Sequence, residues 1–89
     1  MQTRELTVKN KLGLHARPCA LLSKTASLFR SSITITHKNR SVDAKSILGL
    51  MTMAMPSGSD VTICTNGSDE ITAMDSICEL FDNRFGETE

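Results

Sequence analysis

Eighty-nine residues make one domain, residues 1–89, with no room for a second core. Ten basic and ten acidic side chains give a formal charge of zero, which argues against a nucleic-acid or membrane-surface binder that works by bulk charge. Three Phe and no Trp or Tyr leave the core to aliphatic side chains and methionine. No apolar run approaches the ~20 residues that span a bilayer, so no membrane insertion is expected. Met1-Gln2-Thr3-Arg4-Glu5 lacks the apolar stretch of a signal peptide, and the chain is expected in the cytoplasm. Cys19, Cys64 and Cys78 suit that compartment as reduced thiols. Their number is odd, their spacing is wide and no Cys-x-x-Cys pair occurs.

Leu6 and Val8 alternate with Glu5, Thr7 and Lys9, the period of a half-buried strand of about seven residues. Asn10 to Leu14 reads as a loop. A helix is expected from Ala16 to Phe29, with Pro18, Leu22, Ala26 and Phe29 on one face. Pro18 falls in its first turn, where a missing N–H costs nothing. Ile33 and Ile35 alternate with Ser32, Thr34 and Thr36 as a second strand. His37 to Arg40 forms a turn, which makes His37 a turn residue, and Ser41 to Ala44 returns as a third strand. Ser46 is a good N-cap for a short helix through Ile47 and Met53. After the loop Pro56 to Ser59, Val61 and Ile63 mark a fourth strand. Asn66-Gly67-Ser68 turns the chain, with Ser68 expected to cap a last helix whose first turn holds Asp69 and Glu70. Ile71, Met74, Cys78, Phe81 and Phe85 mark its buried stripe, widened by Ile77 and Leu80. The order β-α-β-β-α-β-α, with one apolar face per strand, predicts an α+β fold. Its economical form is one four-stranded antiparallel sheet with three helices on a single face.

The stretch Gly13-Leu14-His15-Ala16-Arg17-Pro18 carries the chemistry. His15 stands where the first helix begins, two residues before an arginine. A first helical turn carries backbone N–H groups without intrahelical partners and the positive end of the macrodipole. An imidazole there can act as a nucleophile toward phosphorus. A phosphoryl group left on it would meet the amides of Ala16 and Arg17 and the Arg17 guanidinium. A lone histidine would more often be a plain surface or core residue. The loop glycine, Arg17 and Pro18 tip the reading toward a phosphoryl acceptor.

Gly13 to Pro18 resembles the active-site signature of the HPr family, the histidine-containing phosphocarriers of the bacterial phosphotransferase system. Lys45-Ser46-Ile47-Leu48-Gly49-Leu50-Met51 resembles that family's second signature, around a regulatory serine. The two motifs are separated as in the family, and the resemblance covers essentially the whole chain. It implies an open-faced β-sandwich and a monomeric carrier rather than a stand-alone enzyme. It also implies a route. Phosphoenolpyruvate phosphorylates enzyme I, enzyme I passes the phosphoryl group to His15 Nδ1, and His15 passes it to a histidine of a IIA-type protein. Sugar uptake or a regulatory cascade would be served. No cofactor is implied, and no His, Cys, Asp or Glu cluster has metal-ligand spacing.

Ser46 has two readings. As an N-cap it adds about 1 kcal/mol to the short helix. The resemblance implies that it is also phosphorylated by HPr kinase/phosphorylase, which slows transfer from enzyme I. Ile47, Leu48 and Met51 share one face of that helix, and Leu50 and Met53 another. One face must bury, and Ile47, Leu48 and Met51 are expected to form an apolar docking patch for partner proteins. Arg17, Lys24, Lys45 and Arg40 are candidates to ring it with positive charge. Cys19 departs from the family's usual small residue, and a thiol near a helix N-terminus is expected to have a lowered pKa. Leu12 replaces an often polar loop residue, which puts one auxiliary hydrogen bond to the phosphate in doubt. Two other readings stand beside the sugar-type carrier. One is a nitrogen-type carrier, which the sequence does not separate from the sugar type, or a purely regulatory HPr-like binding protein, against which, as a sole role, the intact His15-x-Arg17 speaks. The other is a small interaction domain without phosphoryl chemistry.

Overall fold

A computed structural model of the chain describes residues 1–88. Its strands are β1 (Gln2–Thr7), β2 (Ser32–His37), β3 (Arg40–Asp43) and β4 (Asp60–Asn66); its helices are α1 (Ala16–Ala26), α2 (Ile47–Met51) and α3 (Glu70–Asp82). The strands form one antiparallel sheet in the order β1-β4-β2-β3. Alternation sets the register. Ile35 lies opposite Ile63 on one side and Val42 on the other, and Leu6 lies opposite Val61. Ile33, Ile35, Val61, Ile63 and Thr65 are all buried on the same face. Thr34, Thr36, Thr62 and Cys64 point the other way and keep contact with solvent. A one-residue slip would exchange the two sets, so the register is strongly specified. The three helices cover the apolar face, giving the open-faced sandwich expected from the pattern. Leu22 and Ala26 of α1, Leu50 of α2 and Met74, Ile77 and Phe81 of α3 close the core with the strands.

Several boundaries move for physical reasons. β1 starts at Gln2 and ends at Thr7, earlier than the Leu6–Val8 alternation suggests. Val8 is buried, but its N–H donates to the Ser59 carbonyl and its carbonyl accepts from Gly58, so it closes a loop rather than extending the ladder. α1 stops at Ala26, short of Phe29. The amides of Leu28 and Phe29 reach back only three residues, to Thr25 and Ala26, so the last turn tightens and releases the helix. Lys45 Nζ then donates to the Phe29 carbonyl at 2.9 Å. Arg40 binds the Thr52 carbonyl and hydroxyl, each at 2.8 Å, at the end of α2. Arg40 thus holds the end of α2, and Lys45 the turn that follows α1.

α3 differs most from expectation. Its N-cap is Asp69, not Ser68. Asp69 makes no capping bond, because its carboxylate turns to the N–H groups of Arg30 and Ser31, each at 2.9 Å, and to the Ser31 hydroxyl. Those donors, the Ser31 hydroxyl first, pull its pKa down to about 2. Ile71 was expected in the buried stripe and is 64% exposed, while Ala73 is buried. The buried arc centres between Ile77 and Phe81, and at about 100° per residue Ile71 falls roughly 100° from that centre. Phe85 is buried, but the helix ends at Asp82 before reaching it. Arg84 and Phe85 adopt φ of 55° and 54°, a left-handed turn that folds the Phe85 ring back onto Phe81 at 5.0 Å between centroids.

Candidate functional site

The loop before α1 is held at both ends. Gly13 N–H donates to the Asn10 carbonyl at 3.0 Å, and Leu14 N–H donates to the Met55 carbonyl at 2.9 Å. Gly13 has φ of 72° and packs so closely on Met55 and Pro56 that a Cβ would stand 2.5 Å from the Met55 oxygen. Only glycine meets both conditions without displacement. Leu14 is buried, which anchors the residue beside it.

His15 is the N-cap of α1, in extended backbone conformation. Its carbonyl accepts from Cys19 N–H at 3.1 Å and so opens the helical ladder. Its side chain makes no capping bond and projects outward, 37% exposed. The Glu87 carboxylate accepts from His15 Nε2 at 2.9 Å. Among the described residues no hydrogen-bond partner faces Nδ1. Arg17 lies two residues on, 58% exposed, with Nη1 3.3 Å from the Phe85 carbonyl and 3.6 Å from Glu87 Oε2. The first-turn amides of α1, those of Ala16 and Arg17 among them, lack helical acceptors and carry the positive end of the dipole. The site therefore combines a partly exposed imidazole engaged at Nε2, a guanidinium and a patch of positive backbone potential.

Two residues that sequence reasoning passed over complete the arrangement. Asn10 is fully buried, and its Nδ2 donates to the Arg84 carbonyl at 2.8 Å and to Glu87 Oε1. Its own Oδ1 is buried without a partner. Glu87 is brought in by the left-handed turn at Arg84 and Phe85. The Asn10 amide, reinforced by the charges of His15 and Arg17, holds the Glu87 carboxyl below its ordinary pKa despite partial desolvation. A glycine just past a terminal aromatic, Phe85-Gly86, was the available signal that the chain doubles back here. Nothing in the sequence joins position 10 to position 87.

Cys19 corrects an expectation. It is fully buried, with Sγ donating to the Leu14 carbonyl at 3.4 Å, and burial raises its pKa rather than lowering it. Ser46 is the N-cap of α2 and its Oγ accepts from Gly49 N–H at 3.1 Å. Ile47, Leu48 and Met51 are exposed, Leu48 to 75%, whereas Leu50 and Met53 are buried. Leu12 is exposed in the loop before His15. His37 ends β2, with Nδ1 3.3 Å from the Asp60 carbonyl. An open cleft beside His15 is lined by Leu12, Leu14, His37, Lys38 and Pro56. Among the described residues, no group of three His, Cys, Asp or Glu side chains could hold a metal ion. Nor is any helix among them long and apolar enough to cross a membrane.

Comparison with known proteins adds a family. Residues 2–83 match the family of the PTS HPr component phosphorylation site. The chain is similar to a phosphocarrier protein HPr of Xylella fastidiosa strain Temecula1, 51% identical over 98% of each chain. It is similar at 49% identity to the phosphocarrier protein HPr of Cupriavidus necator, over the whole of both. Among solved structures, HPr-C-His from Thermoanaerobacter tengcongensis superposes with a TM-score of 0.96 at 40% identity, covering both chains in full.

Proposed function

The chain belongs to the HPr family of phosphotransferase-system phosphocarriers, and on that premise we propose that it takes a phosphoryl group from phospho-enzyme I onto His15 Nδ1 and passes it to a histidine of a IIA-type protein, as a monomer, in sugar uptake or a regulatory cascade. The observation that carries this reading is the His15 ring at the start of α1, engaged at Nε2 only, with the exposed Arg17 guanidinium two residues on and beside the same Glu87 oxygen. In each transfer the attacking nitrogen's lone pair forms a new N–P bond while the donor's N–P bond breaks, its electron pair returning to the donor ring. Such a step depends on positioning and charge stabilisation, not on a covalent contribution from further side chains. Arg17 and the amides of Ala16 and Arg17 supply that stabilisation as the dianion arrives. The solvent exposure of the ring suits a site that docks successive partners instead of enclosing a small substrate.

Ile47, Leu48 and Met51 are the docking surface in this reading. Ser46 regulates it as the substrate of HPr kinase/phosphorylase. A phosphoserine would add about −1.5 to −2 charges at the start of α2, where the helix tolerates an anion but an apolar partner surface meets a charge. The test of the carrier function is labelling from radioactive phosphoenolpyruvate with enzyme I. Wild-type protein takes up acid-labile, base-stable phosphate and His15→Ala takes up none. Undiminished labelling of the variant would overturn the assignment.

A further inference from the structure

We propose that Glu87 is a positioning residue for the transfer: its carboxylate keeps the proton of His15 on Nε2 and thereby leaves the Nδ1 lone pair free to attack phosphorus. This rests on the carrier reading given above. An ionised carboxylate has no proton to give, so a 2.9 Å contact with Nε2 requires the hydrogen to be on that nitrogen. The same contact fixes the plane of a ring that is otherwise exposed and free to rotate. The tautomer of an imidazole is set by the hydrogen bond its other nitrogen makes.

The arrangement behind the carboxylate gives it direction. Asn10 Nδ2 donates to Glu87 Oε1 and to the Arg84 carbonyl, so that amide cannot rotate without placing its oxygen against a carbonyl. Its Oδ1 stays buried and unpaired as a consequence. Arg84 and Phe85 hold left-handed backbone conformations that non-glycine residues adopt only at a cost. An orphaned oxygen and two strained residues converge on the delivery of one carboxylate to one imidazole. During transfer the Nδ1–P bond forms, the donor's N–P bond breaks and the Nε2 proton stays in place. The ring then carries a positive charge, which Glu87 neutralises from the side opposite the phosphoryl group.

Two variants distinguish this from a general structural role. In Glu87→Gln, Asn10 still donates toward position 87 and holds the new amide oxygen. The new NH2 then faces His15 Nε2, which must accept, and the proton moves to Nδ1. Glu87→Ala removes the partner without imposing the wrong one. The less conservative change should therefore be the milder one. Long-range ¹H–¹⁵N spectra at alkaline pH, where imidazoles are neutral, should place the His15 proton on Nε2 in wild type and on Nδ1 in Glu87→Gln. With phospho-enzyme I, kcat should fall a few-fold in Glu87→Ala and by about tenfold or more in Glu87→Gln, with KM little changed. A wild-type proton on Nδ1, or a Glu87→Gln variant as fast as Glu87→Ala, would overturn the proposal. So would faster transfer on removing the carboxylate, which would make Glu87 a plug. Wild-type protein that takes no label at all would instead overturn the carrier reading, whatever tautomer the spectra report.

Discussion

Gly13→Ala tests whether the close approach of two backbones sets the position of His15. The substitution acts in two separable ways. The left-handed conformation at φ of 72° costs an L-residue about 1–2 kcal/mol. The new Cβ would also stand 2.5 Å from the Met55 oxygen and 2.9 Å from Pro56 Cα, against an ordinary contact of 3.4 Å or more. Both neighbours are backbone, so the loop and the 55–56 segment must part by about 0.9 Å. That parting breaks the Leu14 N–H bond to the Met55 carbonyl, a further loss of about 1 kcal/mol. The expected destabilisation is about 3 kcal/mol, a drop in Tm of more than about 10 °C for a domain of this size. Gly58→Ala is the internal control, since Gly58 also has positive φ, 88°, but nothing lies within 4 Å of its Cβ position. It should lose only the backbone cost of about 1 kcal/mol. Urea unfolding reads both, with midpoints shifted and m unchanged. Phosphoryl transfer should fall further in Gly13→Ala, because a displacement of ~1 Å at a reacting group costs about 100-fold. Equal destabilisation by the two substitutions would refute the argument, leaving Gly13 selected by its φ alone.

Leu48→Asp should leave unfolding unchanged, since the side chain is 75% exposed. It should raise KM for phospho-enzyme I by about tenfold or more with little effect on kcat; an unchanged KM removes the docking patch. Incubation with ATP and extract from the source cells should place phosphate on Ser46, mapped by mass spectrometry, and absence of that label reduces Ser46 to the N-cap it makes with Gly49. Asp69 links stability to acid. Its folded pKa, about 2, lies below the ordinary 3.8, so its contribution is complete above 3.8 and is lost as pH falls through about 2. The Tm difference between wild type and Asp69→Asn should therefore shrink over that interval, and a difference independent of pH would show that the Arg30 and Ser31 donors do not hold the charged form.

What could be read from the sequence, and what could not, divides by the distance to the partner. The strands were legible because alternation at Ile33 and Ile35 or at Val61 and Ile63 is a property of neighbouring residues, and one buried face follows from it. Ser46 as a cap is equally local, its acceptor role satisfied three residues on. Asp69 was misjudged for the converse reason. Its position suits the α3 dipole, but Arg30 and Ser31, far away in sequence, offer three donors together and win the carboxylate. Ile71 failed because a helical stripe has a centre as well as a period, and the centre depends on which arc meets the sheet. The site divides in the same way. His15 and Arg17 sit within one turn and announce a phosphoryl acceptor. Glu87 reaches His15 across 72 positions and Asn10 across 77, through a turn whose left-handed residues carry no glycine signal before Gly86. The proposed nucleophile and its proposed charge clamp are thus local features of the chain. The carboxylate that we propose to set which nitrogen of His15 is free reaches it only through the turn that follows α3, so the proposed reactive form of His15 would depend on the completed fold.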